Sequence, residues 1–281
     1  MSKDRPELER FGVALTKIVE DYTEWRPPFE DHGGITMPIT NRLDSNQDKA
    51  LFLTLTTALN RQRDAEHLYS KFERLMYEEQ WIFEPKNLVE KERYEELVAL
   101  FEEEGVRFGE KDAQVWFEIS RTLHSDYNAD PMNLFAAFEF DMQRIERHVK
   151  NASGQTRFFA HGKKFPALRG DKIRPMWLRL INNQVHPLGQ KGGSDVSVDT
   201  HLIQITNKIL DTGYTSSEGD KEQIRHYWRN ICCVHPIQPI EIDGPLWYIN
   251  RGWDDWGQRY LERRLNEEGL DLDDLQYSIV G

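Results

Sequence analysis

The chain has 281 residues, a formal net charge of −12 and a hydrophobic share of 38%, enough for a buried core in one large domain or two packed lobes. No apolar run reaches membrane-span length, and the charged start Met1-Ser2-Lys3-Asp4-Arg5-Pro6 lacks the apolar core of a secretory signal, so a cytoplasmic protein without a membrane partner is expected. The adjacent Cys232 and Cys233 are expected to be reduced thiols, and two thiols cannot ligate a four-cysteine iron–sulfur cluster.

Helical periodicity dominates from the start. Glu7 to Trp25 places Phe11, Leu15, Ile18, Val19 and Tyr22 at three- and four-residue steps, and Arg26-Pro27-Pro28 stops that helix. After a loop with Gly33-Gly34 and Pro38, Asp44 or Ser45 caps a helix carrying Leu51, Phe52, Leu55 and Leu59. A further helix is predicted from about Asp64 to Tyr77. Lys91 to Glu104 has an apolar face of Tyr94, Leu97, Val98 and Phe101, and Gly105 closes it. Asp112 to Leu123 and Pro131 to Lys150 are predicted helices. Asn151 to Gly170 is a polar, basic loop or a short helical hairpin. Lys172 to Asn183 is a helix, Val185 to Val196 a Gly-rich loop and Val198 to Leu210 a helix. After a turn at Gly213 to Gly219, helices recur at about Lys221 to Cys233, Asp243 to Tyr248 and Trp253 to Glu267. Gly34-Ile35-Thr36-Met37 has an extended pattern, but no set of alternating strands accompanies it, so the chain reads as all-α.

Charge is unevenly distributed. Between Arg144 and Lys191, eleven Lys and Arg residues are opposed only by Glu146 and Asp171, giving that segment about +9 on an acidic chain. Such a stretch either grips phosphates or forms a solvated basic face. Within it, Phe165-Pro166-Ala167-Leu168-Arg169-Gly170 is a tight turn leading into a helix whose free amides can hold a phosphate. Lys172 lies in the first turn. The positive end of the helix, with Arg169 and Arg174 nearby, disfavours its protonated form and makes it a candidate nucleophile. The plainer alternative is a solvated lysine paired with Asp171. Downstream, Asp199 follows a Gly-rich loop and a short apolar step. It fits a helix N-cap, and a carboxylate there can also stabilise positive charge on a sugar or accept a proton.

These two segments resemble the helix-hairpin-helix DNA glycosylase superfamily. Val198-Asp199-Thr200-His201 with its amphipathic helix is similar to the catalytic-aspartate segment. The turn ending in Lys172 lies where the hairpin and the catalytic lysine of bifunctional members are expected. The separation of 27 residues between Lys172 and Asp199 is closer to the archaeal GO glycosylases, which remove 8-oxoguanine, than to the endonuclease III type. The run from Pro236 to Trp247 is similar to the C-terminal segment of that branch. The resemblance implies that Asp243 and Trp247, one helical turn apart, contact a flipped base. The alternative is a capping aspartate and a core tryptophan. Leu59-Asn60-Arg61-Gln62 is similar to the branch's Asn/Gln segment, which makes Gln62 a base reader. The usual Leu-Pro-Gly-Val-Gly hairpin is replaced here by Phe-Pro-Ala-Leu-Arg-Gly, and the loop Val185 to Gly193 is this chain's own.

The expected architecture is therefore two helical lobes with a helix-hairpin-helix motif and a cleft between them. Residues 1–45 form an N-terminal extension and 46–150 a central helical lobe. Residues 151–210 carry the hairpin and catalytic aspartate, and 211–281 form C-terminal helices packing with the N-terminal segment. The implied activity is excision of a modified base such as 8-oxoguanine from double-stranded DNA. Lys172 and Asp199 would be catalytic, Gln62, Asp243 and Trp247 base-binding, and Lys163, Lys164, Arg169 and Gly170 contacts to the DNA backbone. A monomer is expected, with no metal or organic cofactor, since His161, His186 and His201 are scattered without ligand spacing. Alternatives are a monofunctional enzyme, a glycosylase for another modified base in DNA or RNA, and a non-catalytic nucleic-acid-binding or protein-interaction module.

Overall fold

A computed structural model describes residues 6–30, 35–233 and 235–277. The loop predicted around Gly33-Gly34 and the charged residues 1–5 lie outside the described residues. The fold is all-α, with fifteen α-helices among the described residues. No strand is present among them, and two isolated β-bridges join Asp141 to Gly189 and Ser153 to Lys163. No helix among them is long and apolar enough to cross a membrane. The chain divides into two compact units, Met1–His32 with Gly192–Gly281, and Gly33–Lys191.

In chain order the helices are α1 (Pro6–Thr23), α2 (Met37–Thr40), α3 (Asn46–Ala58), α4 (Ala65–Glu78), α5 (Pro85–Glu90), α6 (Tyr94–Glu103), α7 (Glu110–Tyr127), α8 (Pro131–Ala137), α9 (Met142–Asn151), α10 (Ile173–Gln184), α11 (Thr200–Leu210), α12 (Glu218–Cys232), α13 (Pro239–Arg251), α14 (Gln258–Glu267) and α15 (Leu272–Tyr277). Local chemistry explains many of the starts. Ser45, not Asp44, caps α3 by accepting from the Asp48 amide, and Asp64 caps α4 through the His67 amide.

Several predicted boundaries move. The helix expected over Pro131 to Lys150 is two, because Glu139 and Phe140 take left-handed φ angles of 56° and 57°. Asp141 restarts the chain as the N-cap of α9, and Met142 N–H donates to Gly189 O at 2.9 Å. The helix expected from Lys91 begins at Tyr94 instead, after a turn through Glu92 at φ 50°. That expected over Asp243 to Tyr248 is the longer α13, opened by Pro239 in its first turn and by a capping box between Gln238 and Glu241. Trp253–Gly257 is a π-turn ahead of α14 rather than part of one regular helix. Its tightness depends on Gly257, where a Cβ would lie 2.1 Å from the Ile249 carbonyl oxygen. The sequence reading also missed the short helices α2, α5 and α15.

In the unit Gly33–Lys191, α3 is the central element. Every residue from Ala50 to Ala58 is buried, as expected of a helix apolar on all sides. Trp177 of α10 donates to Thr54 Oγ1 at 3.0 Å, and Trp116 of α7 donates to the Ile82 carbonyl at 2.8 Å. Phe72 stacks on Trp116 with ring centroids 4.9 Å apart. The other unit packs α1 against α12, α13 and α14, with α11 on α13, through Phe11, Leu15, Ile18, Ile205, Trp228, Ile249 and Leu261, all fully or nearly fully buried.

Candidate functional site

The turn ahead of α10 is held by its two apolar residues, since Phe165 and Leu168 are completely buried. Ala167 sits at φ 62°, and Gly170 N–H closes the turn on the Ala167 carbonyl at 3.0 Å. Lys172 is the N-cap residue of α10 and no side chain caps that helix, but the Arg174 amide already donates to Gly170 O at 2.9 Å and Pro175 has no N–H, so the first turn offers few amides to an anion. Lys172 and Arg169 are half-buried and Gly170 is exposed.

Arg174 was expected to act on Lys172 as an uncompensated charge. It is instead 5% exposed, donating from Nε to Glu146 at 2.8 Å and from Nη2 to Asp171 at 2.9 Å. It also donates to the Arg169 carbonyl. Its charge is therefore neutralised locally, and its role is to tie the turn to α9. The same holds for part of the basic segment. Arg144 pairs with Glu139, and Lys164 pairs with Asp126 at 2.7 Å. Both acids lie outside the stretch whose charge was counted. Lys163 remains exposed on the bridge to Ser153.

The Lys164–Asp126 pair lies beside a half-buried polar contact. Burial alone would raise the Asp126 carboxyl, but hydrogen bonds from Lys164 and Ser125 hold it below the usual range. Nearby, Tyr127 Oη lies 2.7 Å from His148 Nε2, and burial pushes the tyrosine up to about 12. Burial lowers His148 from its ordinary 6.5, with Lys164 adding to the effect and Asp126 opposing it. As pH falls below about 6.5, the unfolded chain takes up a proton that the folded chain resists. The stability this group contributes is present above that value and is lost on acidification. His148→Gln is expected to flatten the fall in stability between about pH 7 and pH 5, measured by urea unfolding across that range. A slope identical to that of the unsubstituted protein would refute the assignment.

Asp199 lies in the other unit. The loop before it is fixed by buried Val196 and Val198 and by Arg229 of α12, which grips both carboxylate oxygens of Asp195. Asp199 is the N-cap of α11, and its Oδ1 accepts from the amides of His201 at 2.9 Å and Leu202 at 3.0 Å. Oδ2 makes no hydrogen bond to a described residue. The capping role is thus real, and it leaves a half-buried carboxylate with one oxygen locked and one available.

The same helix end meets α13. The His201 ring lies 5.2 Å from Trp247, and its Nδ1 accepts from Asn250 Nδ2 at 3.1 Å. Asn250, 6% exposed, also donates to Gln204 and accepts from Lys208 Nζ at 3.1 Å. Lys208 lies 4.8 Å from the Trp253 ring centroid, and burial lowers its pKa against the raising effect of Asp254. Trp247 is half-buried, with the Arg251 guanidinium 5.3 Å from its ring centroid. Asp243, one turn earlier and 8% exposed, is inside the helix and not at its cap. The backbone at this level is fixed by Gly244, where a Cβ would fall within 3.0 Å of the Tyr22 ring and hydroxyl.

The structure therefore brings the α11 start, with Asp199, close to Trp247 within one unit. Lys172, Gln62, Lys163, Lys164, Arg169 and Gly170 belong to the other. Gln62 is exposed at φ 53°, in the turn between α3 and α4. Sequence reasoning missed Asn250 and Lys208, whose roles depend on α11 packing on α13. A repeat of polar residues on one α11 face, His201, Gln204 and Lys208, was the available signal. Among the described residues, no three His, Cys, Asp or Glu side chains gather as metal ligands. No family model matches the chain, and no curated protein matches it.

Proposed function

We propose that the protein is a DNA N-glycosylase that removes a damaged or modified base, such as 8-oxoguanine, after flipping it from the duplex. The observation that carries this reading is the state of Asp199. Two backbone amides hold one oxygen, the other is available, and an indole with a carboxylate one turn away lies on the adjoining helix. In this reading Trp247 stacks on the extruded base, which requires Arg251 to swing off the ring, and Asp243 accepts from base N–H groups. Asp199 stabilises the positive charge that develops on the sugar as the glycosidic bond breaks.

The Lys172 amine forms the new bond from Nζ to the sugar C1′. The base leaves with the glycosidic electron pair and takes a proton, and the proton lost from Nζ passes to solvent. Ring opening gives an imine, and loss of a C2′ proton then expels the 3′ phosphate by β-elimination. A second reading has support in the uncapped start of α10, where Lys172 could serve only as a phosphate contact. Asp199 would then activate water in a monofunctional reaction.

The test is a labelled duplex carrying one 8-oxoguanine, incubated with and without borohydride. A covalent adduct that disappears in Lys172→Gln is expected. Base loss that persists in Lys172→Gln, with no adduct in the unsubstituted protein, would select the monofunctional reading. Neither cleavage nor trapping, on this and on other modified bases in DNA and RNA, would overturn the glycosylase reading and leave a non-catalytic binding module.

A further inference from the structure

Three arginines converge on one aromatic ring in the unit Gly33–Lys191. The chain turns through Gln62, and the guanidinium carbons of the flanking Arg61 and Arg63 each lie 5.3 Å from the Phe108 ring centroid. Arg107 approaches the same ring at 5.3 Å. Asp112, fully buried in the first turn of α7, organises the cluster. Its Oδ2 accepts from Arg63 Nη2 at 2.6 Å and from the Phe108 amide at 3.3 Å, and its Oδ1 lies 3.5 Å from Arg61 Nη2. The Arg63 side chain is only 7% exposed and acts as a strut, while the Arg61 side chain is 42% exposed.

This arrangement is charged beyond what its own contacts balance. One carboxylate faces three guanidinium groups. Arg107 is exposed and makes no hydrogen bond or ion pair with a described residue. Lys111, next to Asp112 in the first turn of α7, is also exposed. Gathering like charges around one ring is unfavourable unless an anion completes the cluster. Guanidinium forks arriving from different directions suit a tetrahedral group with several acceptor oxygens better than a single planar carboxylate.

We propose that Arg61, held by Asp112 beside Arg63, and the exposed Arg107, both against Phe108, form a phosphate-binding site beside Gln62. Naming a DNA strand as the source of that phosphate rests on the glycosylase reading, whereas the site itself does not. The site lies outside the basic stretch that the sequence marked, and it engages a backbone phosphate next to the nucleotide that Gln62 would approach.

The test compares the unsubstituted protein with Arg61→Ala/Arg107→Ala and with Lys86→Ala/Lys91→Ala, which removes the same charge from exposed positions elsewhere. Arg63 stays in place, so Asp112 keeps a partner. Binding of a fluorescein-labelled unmodified duplex is followed by anisotropy across a salt series, and melting is followed with and without pyrophosphate. The arginine variant is expected to bind the duplex about tenfold more weakly, with a log–log salt slope shallower by about 1 to 2, while the lysine variant keeps the slope. Equal affinity and slope in the arginine variant and the unsubstituted protein would overturn the site and leave the glycosylase reading intact. If the duplex does not bind but pyrophosphate raises the melting temperature only where Arg61 and Arg107 are present, the site stands as a free-phosphate site and the glycosylase reading falls. No response to either ligand would overturn the site.

Discussion

Asp199→Asn is expected to slow base release by about 10²- to 10⁴-fold, the range for removing a charge-stabilising or proton-accepting group from a transition state. The structure makes this substitution unusually clean. Only Oδ1 is engaged, in two hydrogen bonds from the amides of His201 and Leu202. An asparagine carbonyl can accept both, because Asn and Asp are near-equivalent N-caps. What disappears is the negative charge and the second carboxylate oxygen. The fold should lose no more than about 1 kcal/mol, from weaker interaction with the helix dipole. Asp199→Ala removes cap and charge together, and its stability loss should be larger by about 1 kcal/mol. Single-turnover cleavage of the 8-oxoguanine duplex, beside thermal unfolding of both variants, separates the effects. Base release by Asp199→Asn at the unsubstituted rate would reduce Asp199 to a cap.

The cap at Asp199 was legible because its own hydrogen bonds are local, although Arg229 of the distant α12 also holds the preceding loop through Asp195. The carboxylate, the two amides and the preceding apolar step fall within a few residues, and capping chemistry is written in such short spans. The same is true of Ser45 and Asp64. The α8–α9 break was hidden, because Phe138-Glu139-Phe140 contains no glycine or proline to mark a left-handed turn. Its partner is the distant Gly189 backbone. The character of the basic segment was also illegible by counting. Arg174 finds Glu146 on another helix, and Lys164 and Arg144 find Asp126 and Glu139, acids outside that stretch. The Arg61–Arg63–Arg107 cluster could not be seen at all, since its members join only when the α3–α4 turn meets the start of α7. Trp247 and His201 come together through the packing of α11 on α13, which periodicity predicts for neither helix individually.

Outside any functional reading, the largest stability effect is expected at Asp21. This residue of α1 is 1% exposed, a costly place for a carboxylate unless its charge is fully matched. The match comes from the far end of the chain. Tyr260 Oη donates to Asp21 Oδ2 at 2.6 Å, Arg264 Nε donates to the same oxygen at 3.0 Å, and Arg26 Nη1 lies 3.6 Å from Oδ1. Burial raises the tyrosine pKa further above its ordinary value and the Asp21 carboxylate adds to this, so the hydroxyl stays a donor throughout the working pH range. The network locks α1 to α14, two helices more than 230 residues apart in sequence. Asp21→Ala leaves the Tyr260 hydroxyl and the Nε and Nη2 of the mostly buried Arg264 without their acceptor, while Nη1 keeps Glu267 at 2.7 Å; the cost is about 3 kcal/mol and roughly 10 °C in melting temperature. Adding Arg264→Leu should recover part of the loss, because a buried pair replaced on both sides costs less than one broken on a single side. Urea unfolding of the two single variants and the double variant measures the coupling directly. If Asp21→Ala cost less than about 1 kcal/mol, or the two substitutions were simply additive, Asp21 would not be the lock between the two ends of the chain.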